Sequence, residues 1–163
     1  MKNQDMRNQL VQLGNGAHAL ALQMLGNTDD ATDAVQDAFV KVLNKPGAYN
    51  ADTGPLAPWF LRVVRNRCID LIRRRRPEDS NAPELSDPGP GPEGSLEGDQ
   101  RNQLLKRALA SLSDEQRQII VLRDYIDLSY AEIADVLEIA GGTVMSRLHR
   151  ARMALKKELT SHG

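Results

Sequence analysis

Twenty-three consecutive residues in the middle of the chain, Pro77 to Asp99 (PEDSNAPELSDPGPGPEGSLEGD), hold five prolines, four glycines and seven acids, with no lysine or arginine. Proline removes a backbone donor and clashes with the preceding helical turn, and glycine raises the entropic cost of order. Such a stretch can neither propagate a helix nor bury a core, and it is expected to be a flexible, self-repelling tether. The 163 residues therefore divide into two small domains, residues 1–76 and residues 100–163, with residues 77–99 as linker. Each domain alone should be only modestly stable.

The tether also explains a misleading average. The net charge is −1, yet from Arg62 to Arg76 there are seven arginines against one acid, Asp70, and basic residues return at Arg147, Arg150, Arg152, Lys156 and Lys157. Two cationic surfaces thus flank one acidic segment. Apolar content of 40% with 4% aromatics suits a soluble, all-α protein. The N-terminus MKNQDMRNQL lacks a signal-peptide core, and no apolar run reaches membrane-spanning length, so a cytoplasmic location with no membrane contact is expected. Cys68 stands alone among Val63, Val64, Ile69 and Leu71, and reads as a packed core residue. With three scattered histidines and one cysteine no metal-ligand spacing can be assembled, and no cofactor is expected.

The second domain carries the sharpest local pattern, LSYAEIADVLEIAGGTVMSRLHRARMALKK, from Leu128 to Lys157. Ser129 and Glu132 form a capping box that starts a helix with Ile133, Val136 and Leu137 inward. Glu138 to Gly142 should reverse the chain, the two glycines supplying the freedom for the turn. In the next helix Val144, Leu148, Ala151 and Leu155 make an inward stripe, while Ser146, His149, Arg150 and Met153 face away. This is the layout of a helix-turn-helix with a recognition helix for the major groove. An ordinary helical hairpin with a solvated basic face fits the same pattern.

The first domain reads as three helices. One near Asp5 to Leu25 is interrupted by Gly14 and Gly16; one from about Asp29 to Asn44 has Ala31, Val35, Ala38 and Val42 on a stripe. The third, about Pro58 to Arg76, buries Phe60, Val64, Cys68 and Leu71 and turns Arg62, Asn66, Asp70 and Arg73 outward.

These motifs resemble, in order and over nearly the whole chain, a group IV (extracytoplasmic-function) sigma factor of bacterial RNA polymerase. DDATDAVQDAFVKVL is similar to that family's region 2.2, and WFLRVVRNRCIDLIRRRR to its regions 2.3 and 2.4, with the W-x-x-R-x-x-x-N-x-x-x-D spacing through Trp59, Arg62, Asn66 and Asp70. LASLSDEQRQIIVLRDYIDLSYAEIADVLEIAGGTVMSRLHRARMAL resembles region 4 throughout. The resemblance implies a non-enzymatic factor that binds core RNA polymerase, through the beta-prime clamp helices and the beta flap, and directs promoter-specific initiation. It implies an anti-sigma factor as a further partner.

It also implies residue roles. Asp33, Gln36, Asp37 and Phe39 occupy the clamp-binding positions, where carboxylates suit arginines on a partner. For the minus-ten element, Tyr49, Asn50, Asp52 and Thr53 would form a pocket for an unstacked base, and Arg62, Arg65, Asn66 and the run Arg73 to Arg76 would hold the strand. Trp59 either packs inward or offers its ring to a base. For the minus-thirty-five element, Met145, Ser146, His149 and Arg150 would read bases, with Thr143 and Arg147 near phosphates. An arginine at position 150 can bond a guanine edge in bidentate fashion. Met145 replaces the usual cation of the family, Glu138 its usual turn glycine, and Thr32 and Ala34 depart from its clamp-binding motif.

Two other classes fit parts of the sequence. A stand-alone dimeric helix-turn-helix regulator accounts for Leu128 to Lys157 but leaves the arginine helix idle. An enzyme or RNA-binding adaptor built on the first domain finds no nucleophile, metal cluster or phosphate loop to use.

Overall fold

The computed structural model describes residues 2–45, 47, 49, 54–75 and 96–162. Within these there are seven α-helices and no strand: α1 Lys2–Leu25, α2 Thr28–Asn44, α3 Leu56–Arg74, α4 Leu96–Ala110, α5 Asp114–Ile120, α6 Tyr130–Leu137 and α7 Gly141–His162. No helix is long and apolar enough to cross a membrane. Most of the tether, and with it Asn50, Asp52, Thr53 and Arg76, lies outside the described residues. Its last residues do not: α4 already begins at Leu96, four residues before the expected domain start, once the chain has passed the last of the prolines at Pro92.

Helices α1, α2 and α3 pack as a three-helix unit. Asn27 caps α2 by accepting from the Asp30 amide at 3.1 Å, which satisfies one of the free donors at that helix start. The expected α2 stripe is buried as a set, Ala31, Val35, Ala38 and Val42, and Ala34 joins it at 0% exposure. On α3, Phe60, Val64 and Cys68 are fully enclosed, together with Leu61, whereas Leu71 is only partly covered. Burial pushes the Cys68 thiol up to about 12 against the pull of Arg67, Arg75 and Arg65, so the thiol stays protonated in the core.

Contrary to expectation, α1 runs unbroken through Gly14 and Gly16. A glycine within a helix costs up to about 1 kcal/mol relative to alanine, which packing can offset. At Gly14 there is ordinary room, the nearest atom to an added Cβ being Phe39 Cζ at 3.8 Å. At Gly16 there is not, for reasons that involve the other half of the chain.

The second half is built on local caps. Ser113 and Gln116 form a capping box at α5, and Ser129 and Glu132 form the expected one at α6, with bonds of 2.9 and 3.1 Å. Arg117 is 8% exposed and donates to the carbonyls of Leu109, Ala110 and Leu112 at the end of α4, with Asp114 as its counter-ion. After α5 the helix widens into a π-helical turn, Val121–Tyr125, and Asp127 takes a left-handed φ of 68°. Ile126, at the end of the π-helical turn, lies against Gly16 of α1.

The two halves do not stand apart. One continuous buried cluster runs from Leu10 and Ala17 of α1 through Phe60 of α3 to Ile119, Leu122, Ile133, Val144 and Leu148.

Candidate nucleic-acid interface

The reversal between α6 and α7 is made differently from the sequence reading. Glu138 itself turns the chain, in the left-handed region at φ 56°, while Gly141 and Gly142 are the first two residues of α7 and neither has a positive φ. A non-glycine residue there carries a steric cost of about 1–2 kcal/mol, which explains why glycine is the residue favoured at such a turn. The glycines have open space around them and no left-handed φ, so neither the turn nor the packing requires glycine at 141 or 142.

Beyond that turn the expected inner stripe holds. Val144, Leu148 and Ala151 are at 0–1% exposure, and Leu155 packs partly against them. The opposite face is open: Met145 is 63% and Met153 53% exposed, and Ser146, His149 and Arg150 are exposed. Thr143 and Arg147 are half-buried beside it. The Ser146 hydroxyl donates to the Thr143 carbonyl at 3.1 Å, leaving its oxygen free to accept. Among the described residues none of Arg147, His149 and Arg150 is held in an ion pair, whereas Arg152 is taken by Asp124 at 2.5 and 3.2 Å. The structure thus brings all six candidate residues of α7 onto one rim with its cations free for an outside partner.

The second candidate surface lies along α3 and the approach to it. Tyr49 stacks at an angle on Trp59, centroids 5.0 Å apart, and its hydroxyl donates to the Gly54 carbonyl at 2.7 Å. Trp59 is half-buried, so it packs inward on one side and shows the other. Together with Arg62 these rings line a cleft of about 150 Å³ whose wall includes Asp135 of α6. Asn66, Arg73 and Arg74 are exposed.

The other arginines are engaged within the molecule. Arg67 pairs with Asp37 and Asp70, each at 3.1 Å, and Arg74 with Asp70 at 3.3 Å. Arg75, expected among the strand-holding cations, donates to the Leu25 carbonyl at 2.8 Å and faces Asp30 at 3.4 Å, and so ties α3 to α1 and α2. Its guanidinium is half-buried, and a bond to the free carbonyl at a helix end accounts for its position. Arg65 donates from Nε to Gln118 Oε1 at 2.8 Å. Burial lowers its pKa from the ordinary arginine value, against the opposing pull of Glu138 and Glu115.

On α2, Asp33, Gln36 and Asp37 are exposed as a face, but Phe39 is half-buried and stacked on Phe60 at 5.0 Å. Asp37 already holds Arg67, which leaves Asp33 as the acid of that face without a cation among the described residues. The two motif departures have structural reasons: Ala34 fills the core, and the Thr32 hydroxyl meets His18 Nε2 at 3.2 Å across α1 and α2. Sequence reasoning missed Gln118, Ile126 and Asp135, which reach from one half of the chain to the other; no periodicity or motif marks them.

A helix-turn-helix with an unpaired cationic rim, fused through one core to a helical unit with its own arginine helix and aromatic cleft, defines a two-module DNA-binding protein of the transcription machinery. Residues 10–78 match the family model described as Sigma-70 region 2, and residues 102–155 match Sigma-70, region 4. Among curated proteins the chain is similar to the ECF RNA polymerase sigma factor SigE of Mycolicibacterium smegmatis, 35% identical over 153 residues. That match covers 90% of this chain and 58% of the relative. SigW of Bacillus subtilis is 29% identical over 154 residues, with 87% and 82% covered, and SigL of Mycobacterium tuberculosis 36% over 148 residues, with 88% and 82% covered. Among solved structures it resembles the sigma factor RpoE of Bartonella quintana in complex with the anti-sigma factor NepR (TM-score 0.80, 30% identity, 96% of this chain and 97% of that one). It also resembles CnrH in complex with the cytosolic domain of CnrY (TM-score 0.67, 25% identity, 97% and 89%). The chain belongs to the ECF family of RNA polymerase sigma factors.

Proposed function

We propose that the chain directs promoter-specific transcription initiation by dividing the work between its two halves. Residues 1–76 dock on core RNA polymerase and read and open the minus-ten element; residues 100–163 read the minus-thirty-five element; residues 77–99 connect them. The observation that carries this is the pairing of two family regions, in order, with a recognition helix whose Arg147, His149 and Arg150 are outward and unpaired among the described residues.

Asp33, Gln36 and Asp37 on the open face of α2 form the docking surface for the beta-prime clamp helices, with Phe39 serving as the packed base of that face. Tyr49, Asn50, Asp52, Thr53, Arg62, Arg65, Asn66, Arg73 and Arg74 serve the minus-ten element, with aromatic and cationic groups suited to an unstacked strand. Thr143, Met145, Ser146, Arg147, His149 and Arg150 serve the minus-thirty-five element. The chain performs no covalent chemistry of its own, acts in the cytoplasm, and is held when idle by an anti-sigma factor, as RpoE is by NepR in the similar structure.

Purified chain added to core polymerase and a randomised promoter library tests this directly. One enriched pair of minus-thirty-five and minus-ten sequences, with transcripts starting downstream, is the expected result. Tight sequence-specific binding to DNA by the chain alone, with no transcription gained by adding polymerase, would instead identify a stand-alone helix-turn-helix regulator.

A further inference from the structure

A cavity of about 580 Å³ lies where α3, α5 and α7 meet, a size that suits a small molecule. Three guanidiniums line it, Arg65, Arg147 and Arg150, against a single carboxylate, Glu115. Arg147 and Arg150 hold no ion pair among the described residues. Arg65 is bonded only through Nε, which donates to Gln118 Oε1 at 2.8 Å, so its two terminal nitrogens have no acceptor among those residues. Burial lowers the Arg65 pKa despite the opposing fields of Glu138 and Glu115, which makes that guanidinium a desolvated cation short of counter-charge.

Gln118 carries the argument further. Arg65 Nε can only donate, so the Gln118 atom facing it is the amide oxygen, and the amide nitrogen points elsewhere. The residue is 5% exposed, yet that nitrogen meets no acceptor among the described residues. It is not sealed in the core either, since the sealed side-chain polar atom without a partner is Gln23 Oε1; the open space beside Gln118 is the cavity. A buried amide without a partner is costly, and an acceptor in the cavity removes that cost. Ser113, also in the wall, accepts from the Gln116 amide at 3.2 Å, so its hydroxyl proton remains to be donated.

A wall rich in donors and short of acceptors, with positive charge in excess, fits a ligand made of acceptors. Phosphate oxygens meet that need, and arginine grips them in bidentate fashion. Duplex DNA is too broad to enter and reaches only the rim. We propose that this cavity binds a small di- or triphosphate compound, held by Arg65, Arg147, Arg150 and the Gln118 amide. The site shares Arg147 and Arg150 with the proposed reading rim of α7, but its geometry does not depend on promoter reading.

Calorimetric titration of the full chain with pyrophosphate and with ATP, in the absence of divalent metal, tests the site. Pyrophosphate presents the phosphates alone and ATP adds a base, for which Leu137 and Ile139 offer an apolar wall. Both are expected to bind once per chain and to raise the melting temperature, as a ligand of the folded state does. Gln118→Glu keeps the size of the side chain and the bond from Arg65 but replaces the donor with a second carboxylate. Binding should then fall roughly tenfold or more, with helix content retained. Glu115→Gln, at an exposed position, removes the one lining acid and should tighten binding. Lys156→Gln removes an exposed cation outside the cavity and should leave both affinities unchanged. Saturable binding of neither probe would overturn the site, and so would equal weakening by Gln118→Glu and Lys156→Gln, which would mark attraction to general surface charge. Binding of ATP without binding of pyrophosphate would overturn the phosphate assignment.

Discussion

Helices α3 and α7 are both rich in arginine, and they use it in opposite ways. On α3, Arg67, Arg74 and Arg75 face carboxylates of the same chain, and Arg65 is bonded to Gln118. On α7 only Arg152 is so engaged, while Arg147 and Arg150 stand on the outer rim with no ion pair among the described residues. The sequence makes α3 look the stronger DNA binder by count of cations. The structure reverses that order, because much of the α3 charge stabilises the fold or the contact between halves. A cation count measures field strength only after internal pairs are subtracted.

The largest expected effect breaks the comparison at α7. Arg150→Ala should remove about 1–3 kcal/mol of base discrimination, seen as a loss of selection at one minus-thirty-five position in a library transcribed with core polymerase. Thermal stability should not change, since the side chain is exposed and unpaired. An unaltered sequence profile would show that the outer rim of α7 does not read bases at that position. The matching change on α3 should do the reverse. Arg75→Ala removes a bond to the Leu25 carbonyl and an ion pair with Asp30, a loss of about 1.5 kcal/mol. For a chain of this size that lowers the melting temperature by about 3–6 °C, measurable by calorimetry. Lost promoter opening with an unchanged melting curve would return Arg75 to the DNA-contacting group.

What the sequence made legible follows from what is local. The Ser129–Glu132 capping box, the α2 stripe and the inner face of α7 are set by residues three and four apart, and each was readable from spacing alone. The paired use of Arg67 and Arg75 was hidden because their partners, Asp37 and Asp30, lie 30 and 45 positions away. Gly16 misled for the same reason: it looked like a helix breaker, and its partner Ile126 is in the other half. The turn was misassigned between Glu138 and the glycines because backbone conformation at φ 56° leaves no mark in composition when a non-glycine residue bears it. The candidate site was therefore readable as a set of residue types on the right helices. Which of them are free to act was not.

That turn provides a smaller test. Glu138→Gly should relieve the left-handed strain and, after the entropy glycine loses on folding, leave a net gain of about 0.5–1 kcal/mol in denaturant unfolding. A loss of stability would mean that Glu138 makes contacts worth more than its strain.

The smallest effect sharpens the comparison at its weakest point, Met145, where α7 shows an apolar side chain, 63% exposed, at the edge of its cationic rim. Met145→Arg adds one potential phosphate contact. Within the free protein the change is mildly unfavourable. A cation at the start of the second turn of α7 opposes the helix dipole only weakly, by at most about 0.3 kcal/mol, since the effect falls off within the first turn. On DNA the same charge releases about one counterion, which steepens the salt dependence of the promoter complex by about 0.9 in log–log slope. The two effects have different signatures, a slightly lower unfolding midpoint without DNA and a steeper salt titration with it. If the midpoint falls while the slope holds, position 145 of α7 faces solvent in the promoter complex and the reading face begins further along, at Ser146 and Arg150.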